Sequence, residues 1–324
     1  MNKKRKVLVV GDINVDLVVR FPQMLPEGSV KYYEPELTGG GTCGNTLIAL
    51  SKLGVSTAFM GTVGDDAYGL LLKKEMVEAD VDIRSLITDE ELNTVCVFAF
   101  VDEKGERYLW GWPRVKQSYQ SLKPTDIRWE TIHRASWIHS SGIMLVHNTS
   151  ARKSVIEIFK YAKKAGIPTS FDLNLRVDGG QMKDDYREAV LEILNYCNYV
   201  LGSGKDEFYH LAPHDDWLES ARFFASPERT IIARMGAEGA MAITPHSVCE
   251  ERPFDVKVRD TVGAGDVFNA GFIAARIAGY GLRDSIAWGN GVSSYKVARN
   301  GGRATPEYEE LMDFMNTTPK ITDI

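Results

Sequence analysis

No run of apolar residues in this 324-residue sequence is long enough to cross a bilayer. The early apolar stretch, Val7 to Val10, is also too short for a signal-peptide core and leads into Gly11-Asp12 without a cleavage pattern. Cysteine is scarce: Cys43, Cys96, Cys197 and Cys249 are widely spaced, which excludes a zinc pattern and a disulfide framework and points to a reducing cytoplasm. The six histidines show no metal spacing and are expected to be structural or exposed. Basic excess is missing too. A formal net charge of −6 argues against a nucleic-acid or membrane-surface role.

Two familiar phosphate-binding glycine patterns are absent as well. A dinucleotide fingerprint starting at Gly263 needs a third glycine at position 268, where Phe268 stands. Read as a P-loop, Gly202-Ser203-Gly204-Lys205 has Tyr199 in place of the first glycine and Asp206 in place of the magnesium-binding Ser/Thr.

What is present is an alternation of short apolar strands and amphipathic helices, the pattern of a mostly parallel sheet covered by helices on both faces. Val7 to Val10 reads as the first strand, followed by a helix from about Asn45 to Leu53 closed by Gly54. A strand near Thr57 to Thr62 and a helix around Tyr68 to Ala79 come next. Trp137 to His139, Ser170 to Asp172, Tyr199 to Leu201 and Thr230 to Ala233 read as further strands. The stripe Val155, Ile158, Phe159 and Ala162 predicts a helix with Thr149 or Ser150 as cap and Gly166 as stop. Late in the chain, Phe254 to Val258 reads as a strand and Val267 to Ala274 as a buried helix.

Two segments, residues 14–38 and about 94–114, break the rhythm and read as β-structure outside the main sheet. In the second, Asp102-Glu103-Lys104-Gly105 is a hairpin turn between two apolar strands. Paired into one small sheet, the two segments would cover the carboxyl ends of the main strands as a lid.

Between the late strand and helix lies Asp260-Thr261-Val262-Gly263-Ala264-Gly265-Asp266. Free backbone N–H groups at a helix start favour an anion such as a phosphate. A carboxylate among them is tolerable if it takes a proton from a nucleophile aimed at that phosphate. Locally, a glycine-rich turn with Asp266 as a helix cap explains the residues equally well.

The heptapeptide, continuing into Val267-Phe268, resembles the C-terminal signature of the ribokinase/PfkB family of carbohydrate kinases. Companion motifs appear in the family's order: Gly11-Asp12-Ile13-Asn14-Val15-Asp16, then Gly39-Gly40-Gly41 with Asn45, then Gly54, Gly236 with Gly239, and Asn290. The resemblance spans residues 6–306. It implies a ribokinase-like three-layer α/β/α sandwich with a mostly parallel central sheet, formed as one kinase domain over residues 1–324 with the small β-sheet lid inserted. It further implies ATP-dependent phosphorylation of a primary hydroxyl on a small sugar, ketose or sugar acid, with Mg2+ as cofactor, K+ in some members, and a homodimer through the lid.

Residue roles follow from the same resemblance. Asp266 stands as general base, with the amides of Gly263, Ala264 and Gly265 stabilising charge on the phosphoryl oxygens. Asn14, Asp16, Gly39, Gly40 and Asn45 form the sugar-side set, while Asp12 is explained equally well as the cap of a strand end. Arg114 and Arg176 would suit a carboxylate or keto oxygen, and Phe171 to Arg176 is similar to a segment of 2-keto-3-deoxygluconate kinases and fructokinases. Lys205, Arg234, Gly236, Gly239 and Asn290 join Gly263 and Gly265 on the nucleotide side. Glu207 would meet magnesium through water, and Asp260 and Thr261 would shape a monovalent-cation site. One departure stands out: Gly204 occupies the Asn position of the family's Asn-x-x-Glu motif. A nucleoside kinase of the same fold and a catalytically weak sugar- or nucleotide-binding regulator are the alternatives.

Overall fold

The computed structural model describes residues 6–102, 107–113, 116–212, 214 and 216–322. Side chains alternate across the strand Lys6–Val10, so Val7 and Val9 enter one apolar layer and Leu8 and Val10 the other. The first layer is closed by Thr42–Lys52, Ala67–Glu78, Ala264–Ile277 and Leu282–Val297; the second by Ser150–Ala165, Asp184–Leu194 and Trp217–Phe223. This gives three layers around one sheet.

The sheet runs in the order Val248–Glu251, Ala240–Ile243, Thr230–Arg234, Tyr199–Ser203, Thr169–Asp172, Ala135–Ser141, Lys6–Val10, Thr57–Gly64, Asp82–Asp89. Pairings from Thr230–Arg234 through Asp82–Asp89 are parallel, and the two at the other edge are antiparallel. Lys6–Val10 lies where the order of winding reverses: the chain continues to Thr57–Gly64 on one side and returns as Ala135–Ser141 on the other. Crevices at such a point, outside the carboxyl ends of the strands, are where α/β sheets hold ligands.

A second sheet stands over this end, in the order Glu36–Gly40, Asn14–Arg20, Cys96–Val101, Arg107–Trp112. The two β-rich segments do pair: Asn14–Arg20 lies parallel to Cys96–Val101, with Val15 opposite Cys96 and Val18 opposite Ala99. Residues 103–106 of the expected hairpin turn lie outside the described residues, while Val101 and Arg107 pair on either side of them. Val30–Lys31 pairs with Gln23–Met24 in a separate small ribbon, and the strand after it that joins the lid is Glu36–Gly40, paired antiparallel with Asn14–Arg20.

The helix Ser150–Ala165 begins after Thr149 and stops at a left-handed Gly166, as its pattern predicted. The strand expected at Phe254 to Val258 does not form; only Phe254 makes an isolated bridge, to Lys320. The Asp255 amide donates to the Pro319 carbonyl at 2.9 Å, and the segment is otherwise tied at its two ends to the helix Leu282–Val297. Phe254 N–H donates to Ser294 Oγ, and the Arg259 and Asp260 amides both donate to the Val297 carbonyl. Among the described residues, no helix is long and apolar enough to cross a membrane.

Candidate active site

A cavity of about 350 Å³ opens between the lid and the carboxyl ends of the parallel strands. Asn14, Asp16, Asn45, Arg176, Gly263 and Asp266, separated by up to 252 positions in sequence, all line it. The lid contributes an apolar roof from Val18, Val97, Ala99 and Leu109, and Gln117, Tyr119 and the Asn300–Gly302 turn complete the wall.

On the sugar side, Asn14 Nδ2 donates to Asp16 Oδ1 at 2.6 Å. Gly40 leaves the space that the Asp16 carboxylate fills, since a Cβ there would sit 2.4 Å from its Oδ2. At Gly39 a Cβ would instead meet the Arg303 guanidinium, so these glycines admit side chains of the protein itself. Asp12 lines the cavity and also ties down a helix instead of a strand end: its carboxylate accepts the Thr42 amide at 2.8 Å and the Cys43 amide at 3.2 Å at the start of Thr42–Lys52. Arg176 is exposed at the cavity wall, with Nη1 donating to Asn174 Oδ1 at 2.5 Å. Arg114 lies outside the described residues.

Asp266 sits in the first turn of Ala264–Ile277, directly after a left-handed Gly263 (φ 76°) that turns the chain into the helix. Asn45 Nδ2 donates to Asp266 Oδ2 at 2.8 Å, and Thr46 Oγ1 donates to the Asp266 carbonyl at 2.9 Å. Burial and the nearby negative charge of Asp172 push the Asp266 carboxyl up to about 7, against the opposing pull of the Asn45 hydrogen bond and the Arg234 guanidinium. A carboxylate poised there can accept a proton at neutral pH. Ala264 departs from its expected role: its amide donates to the Thr261 carbonyl at 3.1 Å, which commits it to the turn.

A residue that the motifs did not single out stands behind Asn45. Arg303 Nε donates to Asn45 Oδ1 at 3.2 Å, Nη2 donates to the Gly40 carbonyl at 2.9 Å, and the guanidinium pairs with Glu75. As a lone arginine after a glycine pair, it carried no signal separating it from a surface residue.

Arg234, expected on the nucleotide side, is engaged by the protein's own groups. Its guanidinium donates to both Asp172 oxygens at 2.7 and 3.2 Å, to Asn269 Oδ1 at 2.8 Å and to the Gly265 carbonyl at 3.0 Å. A Cβ on Gly265 would lie 3.0 Å from this guanidinium, a tight contact that favours a residue without a side chain there. Burial alone would raise the Asp172 carboxyl, but the Arg234 charge and the hydrogen bonds hold it below its ordinary value. Beside it, fully buried His139 shares a 2.8 Å hydrogen bond with Ser170 Oγ and is depressed to about 4 by burial, in keeping with a structural histidine.

The remaining nucleotide-side residues lie beyond the cavity lining. Lys205 pairs with Glu238 across the turn that contains Gly236 and Gly239, and Asn290 Nδ2 donates to the Glu251 carbonyl at 2.8 Å. Glu207 accepts the Leu175 and Ser203 amides, each at 2.6 Å; burial and the Asp172 charge raise its carboxyl. Each of its oxygens retains a second lone pair, which fits contact with magnesium through a water shell. Asp260 does not present an open cation site with Thr261. The ammonium of Lys296 already meets its carbonyl at 2.6 Å, and Thr261 turns its carbonyl to the Ala264 amide.

The family model described as pfkB family carbohydrate kinase matches residues 4–308, and the chain belongs to that family. It is an ATP-dependent sugar or nucleoside kinase. It is 28% identical over 316 residues to the ATP-dependent ribose-1-phosphate kinase of Halopiger xanaduensis, covering 96% of this chain and 98% of that one. A fructokinase of Klebsiella pneumoniae is 28% identical over 87% of each chain. The E. coli protein provisionally called Ribokinase II, solved with ATP and Mg2+, superposes with a TM-score of 0.81 at 22% identity, over 96% of this chain and 99% of that one. The ribokinase-like fold is thereby established, with its large mostly parallel sheet and its smaller second sheet.

Proposed function

We propose that this kinase transfers the γ-phosphoryl group of ATP to a primary hydroxyl of a small sugar, ketose or sugar acid, with Asp266 as general base. The supporting observation is a carboxyl raised to about 7 in the first turn of a helix, on the wall of a cavity that also holds Asn14 and Asp16. The substrate hydroxyl gives its proton to Asp266 as its oxygen bonds to the γ-phosphorus; the bond from that phosphorus to the bridging oxygen breaks, and ADP leaves. Gly263 and Gly265 supply amides at the helix start, where the macrodipole favours the transferring anion. Magnesium, held through water by Glu207, would neutralise charge on the phosphates.

The polar pair Asn14 and Asp16 supports a polyol acceptor, since donors and acceptors at fixed spacing match adjacent hydroxyls. Arg176 at the wall adds a site for a carboxylate or keto oxygen, with Arg114 as its expected partner. ADP release should be assayed against ketoses, pentoses, sugar phosphates, 2-keto sugar acids and nucleosides; turnover confined to nucleosides would overturn the sugar reading. Asp266→Asn is expected to bind Mg-ATP and the sugar while kcat falls by roughly 10² to 10⁴. Near-normal turnover would remove Asp266 from the mechanism.

The far face of the lid supports a homodimer. Tyr108, Trp110 and Trp112 alternate with the cavity-facing Leu109 and Gly111 and are 57%, 46% and 39% exposed. Light scattering should give twice the chain mass, and Trp110→Glu should return it to a monomer.

A further inference from the structure

Lys296 carries a charge that the proposed reaction does not use. It lies in the last turn of Leu282–Val297 and is fully buried; its Nζ donates to the Asp260 carbonyl at 2.6 Å and stands 3.6 Å from Asp260 Oδ1. A buried ammonium is costly unless it is both paired and hydrogen-bonded, and here one residue supplies both. Asp260 is itself a junction. Its Oδ1 accepts the Val262 amide and its Oδ2 the Gly301 amide, both at 2.9 Å. Val262 and Gly263 on one side and Gly301 and Gly302 on the other all line the cavity.

The ammonium therefore fixes, through one carboxylate and one carbonyl, the relative position of the two loops that flank the start of Ala264–Ile277. A bare monovalent cation placed behind such a loop would do the same two things: draw in carbonyl and carboxylate oxygens, and add positive charge near a bound anion. We propose that Lys296 is a tethered monovalent cation, so that the anion loop is set without K+ and the enzyme needs no added monovalent cation. Lys296 is thus a positioning residue acting through Asp260. The inference rests on the reading of residues 263–266 as the phosphoryl-binding loop.

The test uses the full chain in buffers whose only monovalent cation is tetramethylammonium, compared with KCl at equal ionic strength. Binding of the non-hydrolysable nucleotide Mg-AMP-PNP, followed by calorimetry, should be the same in both for the wild type. Lys296→Met should bind it about tenfold more weakly, as expected for loss of one favourable charge interaction, about 1.4 kcal/mol. Lys296→Ala should recover affinity in KCl or ammonium chloride but not in tetramethylammonium chloride, a rescue that a purely packing role would not show. Wild-type binding that strengthens clearly with KCl overturns the proposal, as does Lys296→Met binding like the wild type. If the variants fail to fold, the wild-type comparison decides alone. Because this readout involves no turnover, it is separate from the fate of Asp266→Asn, whose failure would leave the cation result standing.

Discussion

Replacing Asn45 by alanine removes the hydrogen bond that Nδ2 makes to Asp266 Oδ2 at 2.8 Å, while leaving the Asp266 backbone held by Thr46. That bond favours the ionised carboxylate and opposes burial and the Asp172 charge, so its loss must raise the Asp266 pKa. A hydrogen bond to a charged group contributes about 1.5–3 kcal/mol, and each pKa unit corresponds to about 1.4 kcal/mol. The shift is therefore about one to two units upward from about 7. The assay is kcat/KM for the sugar against pH, which reports the free enzyme's essential base. In the wild type the acid limb should fall away below about 7; in Asn45→Ala it should fall away at a pH higher by that one to two units. Asn45 also lines the cavity, so the height of the profile will drop whatever its cause, and only the position of the limb is diagnostic. An acid limb that stays in place, or moves to lower pH, refutes the view that Asn45 tunes the base.

Three further outcomes follow from the same geometry. Because the folded-state pKa of Asp266 is raised from 3.8 to about 7, the folded chain holds that proton more tightly, and stability falls as pH rises through this window. Asp266→Asn should therefore melt higher than the wild type at pH 8, by up to about 4 kcal/mol less solvent screening, with the gain vanishing near pH 4; equal melting curves at both pH values would contradict it. Arg303→Met should lower both stability and kcat, whereas adding Glu75→Gln should recover stability but not turnover, because Asn45 loses its anchor in either background; recovery of kcat in the double variant would dismiss Arg303 as a positioning residue. At Gly204 an added Cβ would lie 2.6 Å from Trp217 Cζ3, so restoring the family asparagine as Gly204→Asn should cost about 1–3 kcal/mol in denaturant unfolding. Trp217→Leu beside it should relieve most of that cost, and an unchanged midpoint in the single variant would show the site to be roomy.

The sequence was most legible where function requires backbone. Short apolar runs such as Val7 to Val10 and Tyr199 to Leu201 are buried on both faces, so each reads as a strand wherever its neighbours lie. The alternation at Phe254, Val256 and Val258 looked the same, but a strand needs a run of partners, and here the Phe254 amide meets Ser294 Oγ and the Asp255 amide the Pro319 carbonyl, with no more than the isolated bridge to Lys320. Local pattern contains no information about that choice. Conversely, the edge strand Asp82–Asp89 carries charged residues along its length and gave no apolar run to recognise.

Charged residues at the site were the least legible, because their meaning lies in partners far away along the chain. Arg303 and Asn45 are 258 positions apart, and Arg234 and Asp172 are 62 apart. Once those partners are known, several glycines acquire a different reason to be there: Gly40 admits Asp16, Gly39 admits Arg303, and Gly265 admits Arg234. The glycine-rich motifs thus mark where charged side chains of the protein must pass close to backbone, as much as where a ligand must. This also explains how a carboxylate can stand in an anion-binding loop. Asp172 raises the Asp266 carboxyl by its charge, yet it also anchors Arg234, which lowers it. Burial adds to the upward push, and the balance leaves a carboxyl near 7 that ionises around neutral pH and, once ionised, is a strong enough base to take the hydroxyl proton.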